Sequence, residues 1–113
     1  MAREKIEDVL IKMGIPISIK GFEYIVDAVM LLEEQGSAIS ITKVLYPQIA
    51  KRRNSSSSKV ERAIRHALSV ARSRRGDYAT SKHYIGFSNT SNSNSIKQLH
   101  MMLKREEEYE NQN

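Results

Sequence analysis

Residues 57–75 (SSKVERAIRHALSVARSRR) divide their apolar and polar side chains between opposite sides of a helix, and this dictates much of what the chain can fold into. A helix advances about 100° per residue. Counted from Val60, the residues Val60, Ala63, Ile64, Ala67, Leu68, Val70 and Ala71 fall on one arc. Ser58, Glu61, Arg62, Arg65, His66, Ser69, Arg72 and Ser73 fall on the other. A helix built this way must bury one flank against partner helices and present the other outward. Its apolar flank is rich in alanine, so its axis can lie close to a partner's.

The partners are legible on either side. Ile6, Val9, Leu10 and Met13 recur at helical spacing before Gly14, which predicts a short first helix. Pro16 interrupts, Ser18 is placed to cap, and Phe22, Ile25, Val26, Val29 and Leu32 continue the spacing as far as Gly36, giving the longest apolar stripe. Residues 41–53 carry Val44, Leu45, Ile49 and Ala50 at the same spacing, with Pro47 predicting a break near Tyr46. Polar residues 54–58 then lead into the helix over 57–75, which Gly76 ends. Residues 77–86 read as a weak helix with a thin stripe of Tyr78, Tyr84 and Ile85. The run SNTSNSNS at 88–95 reads as a loop, and a last helix follows through Ile96, Leu99, Met102 and Leu103 to Glu106, Glu107 and Glu108. No period-two pattern is present. The expected fold is all-α, a single domain of roughly six helices within the 113 residues, with a core spanning about 6–109.

Charge points to a partner. Residues 51–75 hold nine basic side chains and one acid, Glu61, a local net of +8, while the other 88 residues carry nine basic and twelve acidic groups, a net of −3. Basic charge gathered on one element is the footprint of a surface that meets polyphosphate, although a solvated helix face gives the same pattern. The helix before 57–75 completes a helix-turn-helix, in which the first helix bridges the DNA backbone and the second puts its N-terminal half into the major groove. Ser58, Glu61, Arg62 and Arg65 are then the base-contacting candidates, with Arg62 able to fork onto guanine O6 and N7 and Glu61 able to accept from cytosine N4. An intrahelical pair of Glu61 with Arg65 is the competing reading. Lys51, Arg52, Arg53, Ser56, Ser57, Lys59, His66, Arg72, Arg74 and Arg75 are the candidates for backbone contact.

With these residues in view, SITKVLYPQIAKRRN (40–54) followed by SKVERAIRHALSVARSR (58–74) resembles the effector domain of the sporulation master response regulator, as do MGIPISIKGFEYI (13–25) and, more loosely, YIGFSNT (84–90). The resemblance runs from about Ile6 to Tyr109. It implies a six-helix bundle whose helix-turn-helix reads a TGTCGAA-like box, with Ser58, Glu61, Arg62, Arg65 and His66 at the family's base-reading and backbone-contacting positions. It also implies a homodimer on tandem boxes through residues 95–109. Arg72 stands where that family typically has an aromatic residue, and an added phosphate contact is expected from it. Only five residues precede the match, so phosphorylation in cis through a receiver domain is not expected.

Other chemistries find little support. There is no cysteine, hence no disulfide framework, thiol nucleophile or cysteine-based zinc site. His66, His83 and His100 are scattered without metal-ligand spacing. The serines at 55–58 have no base and orienting acid beside them, and the glycines form no phosphate-cradling loop. No apolar run approaches the roughly 20 residues that span a bilayer. The expectation is a cytoplasmic, sequence-specific, double-stranded DNA-binding transcription regulator with no cofactor, metal or small-molecule substrate, and not an enzyme. The rival is a protein-interaction module, or a competitor of a full-length regulator, that docks through its basic helix. Met101, Met102 and Leu103 read as core or dimer seam, and the acidic end at 106–110 as a solvated terminus able to compete with DNA for the basic helix.

Overall fold

The computed structural model describes residues 1–73, 76–88 and 91–112. Among these the chain forms α1 (Arg3–Lys12), α2 (Lys20–Gln35), a π-helical turn (Ile41–Leu45), α3 (Tyr46–Arg52), α4 (Ser57–Arg72), α5 (Tyr78–Ile85) and α6 (Asn92–Gln112), with no strand. The all-α bundle expected from the periodicity is what the protein adopts.

The apolar stripe of α2 makes it the central post. Ten of its sixteen residues are buried, and α1, α3, α4 and α6 all pack on it. Ile6 and Leu10 of α1, Ile49 of α3, and Ile96, Leu99 and Leu103 of α6 contribute fully buried side chains to the same core. The crossing of α2 with α4 is close for a chemical reason. A Cβ added at Gly21 would lie 2.2 Å from the Ala63 carbonyl oxygen and 2.7 Å from the Ala67 Cβ, so only glycine facing alanine lets the axes approach this far.

The expected break before α3 takes the form of a turn in which Tyr46 N–H donates to the Ile41 carbonyl, five residues back. Pro47, at the start of α3, has no N–H and its ring would crowd the carbonyl of Lys43. Widening the preceding turn accommodates both constraints. Ser40 caps this turn by accepting from Lys43 N–H at 3.0 Å.

Several boundaries differ from the sequence expectation. Ser18 does not cap α2, whose N-cap is Ile19 without a side-chain bond. Helix α4 stops at Arg72 rather than at residue 75. Ser73 then folds back, its N–H and its hydroxyl both donating to the Val70 carbonyl. Arg74 and Arg75 lie outside the described residues. Past them, Asp77 N–H donates to the Lys12 carbonyl at 3.0 Å, and a Cβ at Gly76 would meet Gly14 N at 2.4 Å, so this junction is seated against the end of α1. Helix α6 begins at Asn92, inside the stretch expected to be loop. Serine and asparagine disfavour helix interiors but suit its first turn, and Ser91 caps by accepting from Asn94 N–H at 3.3 Å.

Asp77 is the N-cap of α5 and accepts from the N–H groups of Ala79 and Thr80. The Thr80 side chain and these N–H groups hold its carboxyl below the usual carboxylate range. A carboxyl depressed in the folded state stabilises above its unfolded value, and that contribution is lost as pH falls through the folded value. Asp77→Asn, which keeps a capping oxygen but no charge, is expected to flatten the acid limb of the stability profile. The check is urea unfolding between neutral and acid pH, and an unchanged acid limb would contradict it.

Candidate nucleic-acid interface

Arg53 ends α3, Asn54 adopts the left-handed conformation at φ 54°, and Ser56 starts α4 three residues after Arg53. Asparagine tolerates positive φ better than most residues, and Ser55 N–H donates to the Ala50 carbonyl at 2.8 Å to close the turn. Ser56 caps α4 by accepting from Lys59 N–H at 3.3 Å. Behind the turn, Val60, Ile64, Ala67, Leu68 and Ala71 are buried, with Ala63 and Val70 partly so. Ser57, Ser58, Lys59, Arg62, Arg65, His66 and Ser69 are exposed. The two flanks read from the sequence are therefore the inner and outer faces of α4.

Arg62 projects from the second turn of α4 with no ion pair or hydrogen-bond partner among the described residues. Glu61 and Arg65 form an ion pair one turn apart, the intrahelical pairing weighed against base contact. Arg65 remains 66% exposed against 29% for Glu61, so the guanidinium is still open to a ligand while the carboxylate is half-covered. Ser58, Glu61, Arg62 and Arg65 share one cleft with Thr42 and Tyr46 at the start of the preceding turn and helix. Burial raises the phenol of Tyr46, under this cleft, above its ordinary range, with the Asn92 amide opposing the shift. Asn92 also donates to the Glu61 carbonyl at 3.2 Å, which brings the first turn of α6 alongside α4.

The backbone-contact candidates divide. Lys51 and Arg52 are exposed at the end of α3. Ser56, Ser57 and Lys59 surround the N-terminus of α4, and His66 lies exposed two turns on. Two arginines require correction. Arg53 is turned inward, its Nε and Nη2 donating to the two oxygens of buried Asp27 at 2.8 and 2.9 Å. Arg72 is half-buried and spans the α5–α6 junction. It donates to the Gly86 carbonyl at 3.2 Å, the Ile85 carbonyl at 3.5 Å and the Ser95 hydroxyl at 2.6 Å. Burial lowers its guanidinium below the ordinary range. Its place at the last residue of α4 lets a long side chain reach carbonyls left open at the end of α5, so the side chain is engaged internally rather than extended outward.

The acidic end of α6 is also accounted for. Glu110 pairs with Lys5 at 3.2 Å, and Glu106 accepts from the Tyr84 hydroxyl at 2.6 Å. Glu110 lies eighteen residues, about 27 Å along the helix axis, from Asn92, a residue of α6 that touches α4. Leu103 is buried, Met102 half-buried and Met101 48% exposed, so this stretch is partly core and partly open surface. His100 is buried against Glu33 at 3.2 Å. Among the described residues no three His, Asp or Glu side chains are gathered as a metal site, and no helix is long and apolar enough to cross a membrane.

A short helix, a tight turn and a second helix with a buried inner flank and a basic outer one make a helix-turn-helix DNA-binding domain. Residues 6–104 match the family model described as sporulation initiation factor Spo0A C terminal. The chain belongs to that family, which comprises the DNA-binding effector domains of sporulation regulators rather than enzymes.

Proposed function

We propose that this domain regulates transcription by reading a TGTCGAA-like box, with the N-terminal half of α4 in the major groove. Arg62 forks onto a guanine, and Ser58 and Arg65 reach neighbouring base edges. Glu61 holds Arg65 in place and accepts from a cytosine amine. Lys51, Arg52, Lys59 and His66, with the N–H groups at Ser56 and Ser57, meet the phosphates on either side. The observation carrying this reading is the exposed Arg62, unpaired among the described residues, on a helix whose opposite flank is buried. On tandem boxes two copies meet through α6, where Met101 and Tyr109 are 48% and 70% exposed.

Titration of box and scrambled duplexes at several salt concentrations is the test. Arg62→Ala is expected to lose about 1–3 kcal/mol on the box and to relax one guanine position. Arg52→Ala is expected to weaken both duplexes alike and to make the salt slope shallower by about one. Equal losses on both duplexes for Arg62→Ala would refute base reading. A chain pair is expected on two boxes in tandem, and independent occupancy of the two would refute the contact through α6.

A further inference from the structure

We infer that Asp27, deep in α2, is a positioning residue for the reading helix and acts through Arg53, an inference that rests on the DNA-reading function proposed above. The Asp27 side chain is 0% exposed. A carboxylate stripped of water is costly unless its oxygens are engaged, and here both are. Oδ2 accepts from Arg53 Nε at 2.8 Å, and Oδ1 accepts from Arg53 Nη2 at 2.9 Å and from Nη1 and Nη2 of Arg3 at 3.4 Å. The Arg53 contact is a parallel two-point fork, the most directional form of ion pair. Its remaining Nη1 donates to Glu23 at 3.4 Å. Asp27 thus ties α1, α2 and the helix-turn-helix turn at one point, across 24 residues to Arg3 and 26 to Arg53.

Arg53 is where α3 stops, its N–H donating to the Ile49 carbonyl at 2.9 Å just ahead of left-handed Asn54. Fixing its side chain to α2 fixes where the turn leaves α3 and where α4 begins. The close approach of Gly21 to Ala63 and Ala67 lies further along the helix, while buried Val60 and the Asn92 bond to the Glu61 carbonyl support its first turns from other sides. The fork fixes the point from which the first two turns, carrying Ser58, Glu61 and Arg62, leave α3, and so contributes to their tilt. With Nε and Nη2 on Asp27 and Nη1 on Glu23, the guanidinium is committed to α2 rather than turned outward.

The two roles for Arg53 make opposite predictions. Asp27→Asn makes the domain one unit more positive, so an electrostatic account has it binding DNA more tightly. Positioning has it binding the box about tenfold more weakly, the loss of one well-placed base contact, with scrambled duplex and salt slope as in the wild type. Arg53→Gln and Arg53→Lys, the latter keeping the charge but not the fork, are expected to match it. The double variant Asp27→Asn/Arg53→Gln should be no worse than either single one. Box affinity undiminished in Asp27→Asn, wild-type binding by Arg53→Lys, or a salt slope shallower by one in Arg53→Gln would each overturn the inference. Should Asp27→Asn not fold, Arg53→Lys carries the test. A wild-type protein that treats box and scrambled duplex alike would instead overturn the proposed function. The tether is then judged without DNA, by amide exchange over residues 54–58. About tenfold faster exchange in Arg53→Lys is expected, and unchanged exchange would overturn the inference.

Discussion

Gly21→Val is expected to cost about 3 kcal/mol of folding stability, the upper end of what overpacking a close contact costs. For a domain of this size that lowers the melting temperature by roughly 10 °C. The Ala63 carbonyl, only 2.2 Å from the added Cβ, belongs to the backbone of α4 and cannot swing aside as a side chain would. Relief requires α4 to move off α2, and with it the outer face proposed above to meet DNA. Gly21→Ala introduces the same Cβ but recovers about 1 kcal/mol of helix propensity, so its net loss should be smaller. Thermal unfolding followed by circular dichroism checks both, and an unchanged melting temperature in Gly21→Val would mean that the two helices do not cross here.

Ile64→Ala is expected to destabilise by about 2–5 kcal/mol, because a fully buried branched side chain is removed from the inner flank of α4 and the rigid crossing with α2 collapses little around the space. Arg62→Ala, two positions away on the outer flank, should stay within about 0.5 kcal/mol of the wild type while losing the box. Urea unfolding of the two variants separates packing from reading on one helix. A large stability loss in Arg62→Ala, or none in Ile64→Ala, would reverse the assignment of the flanks.

The outer face of α4 was legible in the sequence because both of its determinants are local. Helical periodicity divides the flanks, and Ser56 with Lys59 N–H makes the cap within four residues. The break before α3 was legible for the same reason, since Pro47 constrains only its neighbours. What was not legible depends on distant partners. Arg53 looks identical to Arg52 in the sequence, and only the fold brings Asp27 within 2.8 Å of it. One signal was available: Asp27 interrupts an otherwise apolar run, IVDAVMLL, and a charge within a core stripe calls for a counter-ion. Arg72 was misplaced because a helical wheel assumes the helix continues, whereas its side chain sits at a helix end beside open carbonyls. The start of α6 was missed because composition marks SNTSNSNS as loop, although half of it makes a capped first turn held on α4 by Asn92.

The length of α6 has a consequence for how the domain meets a duplex. The acids of its C-terminal half are held by Lys5 and Tyr84, whereas the exposed cations Lys51, Arg52, Lys59 and Arg62 sit on α3 and α4, so charge of opposite sign is carried on different elements. On the reading proposed above, the field of a polyanion draws α4 forward and turns the glutamates away before contact. Productive collisions are thereby enriched over random ones, and the enrichment fades as added salt shortens the reach of the field.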